Sequence, residues 1–195
     1  MDILKLISRL LDYPTEQLLE YRKDVTEMIA SSTLFSQENK QALLAMIDRR
    51  FAMDLLDWQA EYEAQFERGR ALSLLIFEHV HGESRDRGQA MVDLLKQYQM
   101  AGLDIGVKEL PDYLPLFLEF LSTQGEENAR GWLQDIAPVL SVLYVRLQKR
   151  DSDYQAIFGS LLEFSGAQVD LDAIREQLKE EKRDDTNKAL DKVWE

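Results

Sequence analysis

Apolar residues recur at three- and four-residue spacing along almost the whole chain, and no stretch alternates convincingly with the two-residue period of a half-buried strand. A chain patterned this way buries its apolar surface by laying helix on helix. Four prolines and nine glycines in 195 residues leave few points where a helix must stop. Ile3, Leu4, Ile7, Leu10 and Leu11 form the first apolar face, and Pro14 ends it, because the residue ahead of a proline is driven out of the helical region. Leu18, Leu19, Val25, Met28 and Ile29 mark a second helix reaching residues 31–33, and Ser36 is a fitting N-cap for a third that carries Leu43, Leu44 and Ile47. Trp58, Tyr62 and Phe66 share a stripe on a fourth, over residues 54–67.

Arg68-Gly69-Arg70 breaks the pattern ahead of residues 71–77, the most apolar run, which reads as a buried segment. Ser84 is placed to cap a helix bearing Met91, Leu94, Leu95 and Tyr98, and residues 101–107, with two glycines, are expected to form the longest ordered loop. Pro111 is expected in the first turn of a helix with Leu114, Phe117, Leu118 and Leu121. Beyond Gly125, a long periodic stretch through Trp132 and Leu147 should kink or restart at Pro138, and a further helix is expected over residues 152–164. From Asp172 onward 14 of 24 residues are charged, so residues 170–195 read as a charged amphipathic segment with Ile174, Leu178, Leu190, Val193 and Trp194 as its apolar face. A tryptophan one residue from the end has little chain to cover it, and the sequence is expected to be cut short there. The fold expected is all-α: one domain over residues 1–195, of eight to ten helices, without an internal repeat.

Thirty-six acidic residues against 23 basic ones give a formal charge of −13, which repels a phosphate backbone and attracts a cationic partner. Nucleic acid is therefore not an expected partner. The absence of cysteine removes disulfides, thiolate metal sites and a cysteine nucleophile. Neither a secretory signal nor a run near ~18 apolar residues is present, so a cytoplasmic protein without a membrane span is expected.

Few residues carry chemistry. His79-Val80-His81, with Glu78, Glu83 and Asp86 nearby, offers ligand types for zinc or iron, yet residues two apart on a helix point in different directions and no third histidine exists. The competing reading has the two imidazoles bonding neighbouring backbone or carboxylate groups around a tight turn. Ser84-Arg85-Asp86-Arg87-Gly88 could touch phosphate but lacks P-loop spacing, and Arg–Asp–Arg pairing in a solvated turn is the preferred account of it. No G-x-S-x-G is present. Glu109-Leu110-Pro111-Asp112-Tyr113 is either an acid cluster or a loop-to-helix junction with Asp112 at the positive end of a helix dipole. The stripe Trp58, Tyr62, Phe66 fits a core or an aromatic peptide groove alike. On these residues alone the chain is an acidic, all-α binder rather than an enzyme, with a metal-binding protein built on His79, His81 and carboxylates as the competing class.

Several segments together carry a resemblance. The stretch from Phe66-Glu67-Arg68-Gly69-Arg70 through Phe77-Glu78-His79-Val80-His81-Gly82-Glu83-Ser84-Arg85-Asp86-Arg87-Gly88 to Leu95 resembles the NarJ family, as do Glu109-Leu110-Pro111-Asp112-Tyr113, Arg9-Leu10-Leu11-Asp12-Tyr13-Pro14, and Arg183-Asp184-Asp185-Thr186 with Ala189-Leu190-Asp191. NarJ proteins are cytoplasmic assembly chaperones of respiratory nitrate reductase, similar to the TorD and DmsD chaperones of other molybdoenzymes, and they usually extend beyond the position of Trp194. The resemblance implies an all-helical, non-catalytic protein that binds the N-terminal basic amphipathic segment of the catalytic subunit NarG. It holds that subunit for molybdenum cofactor insertion and iron–sulfur completion before membrane docking. It retains no cofactor permanently, and molybdenum cofactor biosynthesis proteins are further implied partners. The family's aromatic-x-x-Leu-Phe motif falls on Tyr62, Gln65 and Phe66, with Gln65 in place of Leu; its Glu-Pro-x-Asp-His type motif falls on Glu109, Pro111, Asp112 and Tyr113, with Tyr113 in place of His. Implied client-binding residues are Tyr62, Phe66, Arg70, Glu109, Pro111, Asp112 and Tyr113. Tyr62 and Phe66 are expected to give apolar contact, and Asp112 and Glu109 to shape the groove or meet a client cation. An adaptor for another basic helix would need the same features. Residues 78–88, which hold His79, His81, Arg85, Asp86 and Arg87 together with Gly82 and Gly88, are expected to form a mobile or client-responsive turn.

Overall fold

The first helix, α1 (Asp2–Leu11), buries Ile3, Leu4, Ile7, Leu10 and Leu11 as one face and lays it on α8 (Leu114–Ser122). That helix is apolar almost all round, and Leu114, Phe117, Leu118, Phe120 and Leu121 are all buried. Such a helix has no solvent face to spare and belongs inside the molecule. Ser8 Oγ donates to the Pro115 carbonyl at 2.6 Å, fixing the two helices in register. In this computed structural model residues 2–82, 84–106, 109–186 and 189 are described.

The expected second helix is two: α2 (Glu16–Glu20), capped by Thr15, and α3 (Arg22–Ser31), with the break at Tyr21. Ser36 and Asp54 cap α4 (Gln37–Arg50) and α5 (Leu55–Tyr62) through their side chains. The helix expected over residues 54–67 widens after Tyr62 into a π-helical turn, Glu63–Glu67, which re-aims its last side chains. A six-residue helix, α6 (Ile76–His81), leads to α7 (Asp86–Met100). Ser84 does not cap α7 with its side chain; Arg85 holds the cap position without a side-chain bond. Pro111 also lies outside a helix, in the turn ahead of α8, and it is Pro115 that occupies the first turn.

A core hairpin follows. Pro138 opens α10 (Ala137–Lys149) after α9 (Glu126–Asp135), so the expected restart is observed. The helix α11 (Gln155–Ser165) packs on α10, α9 and α4. Gly166 closes it in the left-handed region, which a residue with a Cβ rarely adopts. Last comes α12 (Leu171–Gln177), against α10. Ten of these twelve α-helices have seven or more residues, and among the described residues there is no strand. One isolated antiparallel bridge pairs Leu75 with Tyr113. No described helix is long and apolar enough to cross a membrane. Leu190, Val193 and Trp194, expected on the last amphipathic face, lie outside the described residues, as do Glu83 and the end of the 101–107 loop.

Candidate functional site

The segment between α5 and α6 folds back on the turn before α8. Ile76 N–H donates to the Asp112 carbonyl at 2.9 Å and Leu114 N–H to the Leu74 carbonyl at 2.8 Å. This bridge places Tyr113 across from the end of α5. The result is an open groove of about 380 Å³ lined by Tyr62, Phe66, Glu67, Arg70, Glu78 and Tyr113, with Gly69 and Ser73 to Leu75 completing its wall. Its size suits a few side chains, such as those on one face of a helix.

Tyr62 and Phe66 are 2% and 5% exposed, so they form the floor, with most of each ring committed to the core. Their rings lie 5.0 Å apart, and Phe66 meets Tyr154 edge-on at 4.9 Å. Tyr154 in turn accepts from Trp58 Nε1 at 2.8 Å and lies under the Arg50 guanidinium at 4.7 Å. Burial pushes the Tyr154 phenol up to about 12 and raises those of Tyr62 and Tyr113 still further, so all three stay neutral in ordinary buffers.

A hydroxyl chain crosses the floor. Tyr113 donates to Asp12 Oδ1 at 3.0 Å, Tyr62 donates to the Leu11 carbonyl at 3.0 Å, and the two hydroxyl oxygens are 3.1 Å apart. Two hydrogens serve three contacts, so Tyr62 divides its proton between the carbonyl and Tyr113. Beyond Asp12 lies a second cleft of about 330 Å³, bordered by Arg9, Tyr13, Leu18 and Tyr21.

Asp112 is fully buried and does not line the groove. Its Oδ2 accepts from Phe77 N–H at 3.0 Å, which places the carboxylate at the start of α6, not at the helix that follows it in sequence. Burial raises its pKa, opposed by the Phe77 N–H and by Arg87, 3.7 Å away. Oδ1 has no hydrogen-bond partner among the described residues. A carboxylate so placed positions α6; the geometry offers it no contact with a ligand in the groove. Glu109 is exposed and Pro111 is buried, its carbonyl accepting from Tyr98 at 2.7 Å; neither lines the groove.

The 78–88 segment divides. His79 faces inward, its Nε2–H donating to the Ser73 carbonyl at 2.8 Å, and burial holds its pKa below the usual value. His81 instead meets the Phe77 ring edge-on. Among the described residues no three His, Asp or Glu side chains are grouped to hold a metal. Arg87 pairs with Glu78 at 3.3 Å and with Asp112 rather than with Asp86, while Arg85 and Asp86 are exposed. Four of the seven expected client-binding residues, Tyr62, Phe66, Arg70 and Tyr113, thus share one groove. Glu67 and Glu78 were not anticipated there; nothing in a sequence this acidic distinguishes them.

Fold and site define an all-α protein organised around an aromatic-floored groove with carboxylates on its rim. A family model described as nitrate reductase delta subunit matches residues 34–159, which include every residue of that groove, and the chain belongs to this family. It is 49% identical over 192 residues, 98% of this chain and 81% of the relative, to the nitrate reductase molybdenum cofactor assembly chaperone NarJ of Escherichia coli strain K12. To the probable nitrate reductase molybdenum cofactor assembly chaperone NarW of the same strain it is 45% identical over 195 residues, 100% of this chain and 81% of the relative. To the probable chaperone NarJ of Bacillus subtilis strain 168 it is 29% identical over 157 residues, 80% and 84% of the two chains.

Proposed function

We propose that this chain is a nitrate reductase assembly chaperone, not an enzyme, and that its groove receives the N-terminal segment of the catalytic subunit NarG as a basic amphipathic helix. The client is held there while it acquires molybdenum cofactor and its iron–sulfur clusters, and is released for membrane docking. The chaperone works in the cytoplasm, retains neither group itself, and has molybdenum cofactor biosynthesis proteins as further partners. The observation that carries this reading is the groove: an apolar floor of Tyr62 and Phe66 beneath the carboxylates of Glu67 and Glu78. An amphipathic helix could set apolar anchors on that floor and its cations over the rim. The chain's charge of −13 adds long-range attraction. Arg70 gives the rim one cation, which opposes a reversed or wrongly placed client charge. Residues 78–88 belong to the same proposal, since Glu78 reaches the groove and Arg87 ties it to Asp112.

Calorimetric titration with a synthetic peptide of the NarG N-terminus, at low and moderate salt, tests this. One-to-one saturable binding that weakens as salt rises is expected. An absence of binding by chain shown to be folded overturns the assignment of this client to this groove.

A further inference from the structure

The loop of residues 69–73 forms one wall of the groove, and its back is tied down by a segment more than a hundred residues away. Asp184 Oδ2 accepts from Arg70 N–H at 2.5 Å and from Ala71 N–H at 2.7 Å. Gly69 precedes them at φ +77°, and successive N–H groups after such a turn converge into an anion-binding nest. The Asp184 carboxylate lies 2.6–2.8 Å from where a Cβ on Gly69 would stand, so a larger residue there would be strained by its φ and would push the carboxylate aside. Arg150, almost fully buried, holds Asp184 Oδ1 at 3.2 Å and Asp185 at 3.2 Å. Arg146 grips Glu181 through two nitrogens and donates its third to the Ala71 carbonyl at 2.8 Å. Lys149 bonds the Leu178 carbonyl.

We propose that residues 178–186 are a strap that preorganises the groove wall, and that Asp184 is the positioning residue that transmits its hold to Arg70. This rests on the groove being the client site. The charge pattern supports a specific latch: in a chain of −13, three acids of one short segment are matched to Arg146 in the last turn of α10, to Arg150 just past its end, and to a backbone nest. Chance pairing of surface charges seldom uses buried guanidinium and backbone N–H together. The strap contacts the loop from behind, beside a cleft of about 370 Å³ that shares Arg70 and Glu78 with the groove, so it leaves the client face open. A fixed wall lowers the ordering cost of binding, and the strap therefore favours the client rather than competing with it.

The test compares Asp184→Ala and Asp184→Asn with the unaltered 195-residue chain, first without client. Amide exchange followed by NMR should accelerate about tenfold or more at Arg70 and Ala71 in Asp184→Ala. Asp184→Asn keeps an oxygen acceptor and should recover much of the protection, which a general loosening of the fold would not give. The NarG peptide should then bind Asp184→Ala roughly threefold or more weakly, through faster dissociation. Exchange that stays slow in Asp184→Ala overturns the strap, and accelerated exchange with unchanged or tighter client affinity overturns its role in binding. If the unaltered chain binds no peptide, the client reading fails by itself, while the exchange result still decides whether Asp184 holds the wall.

Discussion

Gln65 has a buried amide nitrogen, Nε2, with no hydrogen-bond partner among the described residues, one residue before the aromatic that floors the groove. An amide withdrawn from water without compensation costs about 1–3 kcal/mol. Leu, which resembles Gln in reach and stands at this place in the family's motif, removes the unpaired group. Gln65→Leu is therefore expected to stabilise the fold by about 1 kcal/mol, read as a higher urea midpoint at unchanged slope; an unchanged or lower midpoint contradicts this. Tyr113 shows the opposite case, a polar group in the same wall whose hydroxyl is fully used between Asp12 and Tyr62. Asp112 is intermediate: one carboxylate oxygen caps α6, the other has no hydrogen-bond partner among the described residues, and burial outweighs the Phe77 N–H and Arg87 to raise its pKa.

Six residues cannot sustain a helix alone, so α6 depends on what holds its ends. Asp112 anchors the start, and His79 ties its middle to the Ser73 carbonyl on the groove wall. Burial lowers the folded pKa of His79 below the ordinary imidazole value of about 6.5, so between those two values the unfolded chain binds more protons than the folded one. The stabilisation is complete above the unfolded pKa and is lost as pH falls through the window below it. Unfolding free energy should thus decline as pH falls below about 6.5, and His79→Gln, which cannot titrate, should flatten that decline. Parallel profiles for the two chains would show that the histidine makes no such contribution.

Across the molecule, one buried cation links the core to the site. Arg50, at the end of α4, pairs with Asp153 ahead of α11 and with Glu61 of α5 at 2.7 Å, while its guanidinium lies over Tyr154 beneath Phe66. Removing one member of a buried pair leaves the other charged and poorly solvated. Asp153 keeps Arg49 at 3.3 Å as a remaining partner, so Arg50→Ala is expected to cost about 2–3 kcal/mol by denaturant unfolding. A loss under about 0.5 kcal/mol, the range of an ordinary surface change, would remove Arg50 from this bracing role.

Local sequence carried the helical class, the cap at Ser36, the restart at Pro138 and the buried stripe of Trp58, Tyr62 and Phe66. Each depends on side chains within a turn or two of one another, where periodicity and capping chemistry act directly. Tertiary structure alone decided that Asp112 caps α6, 35 residues back, rather than the helix beside it, and that Pro111 and Ser84 stay outside the roles their local positions offered. It also decided that Asp184 meets Arg70 across 114 residues and that Tyr113 pairs with Leu75 in a single bridge too short to leave a strand pattern. A repeating apolar face states that a surface will be buried; which partner covers it depends on the closing of long loops and the packing of many helices together, and no local spacing records that choice.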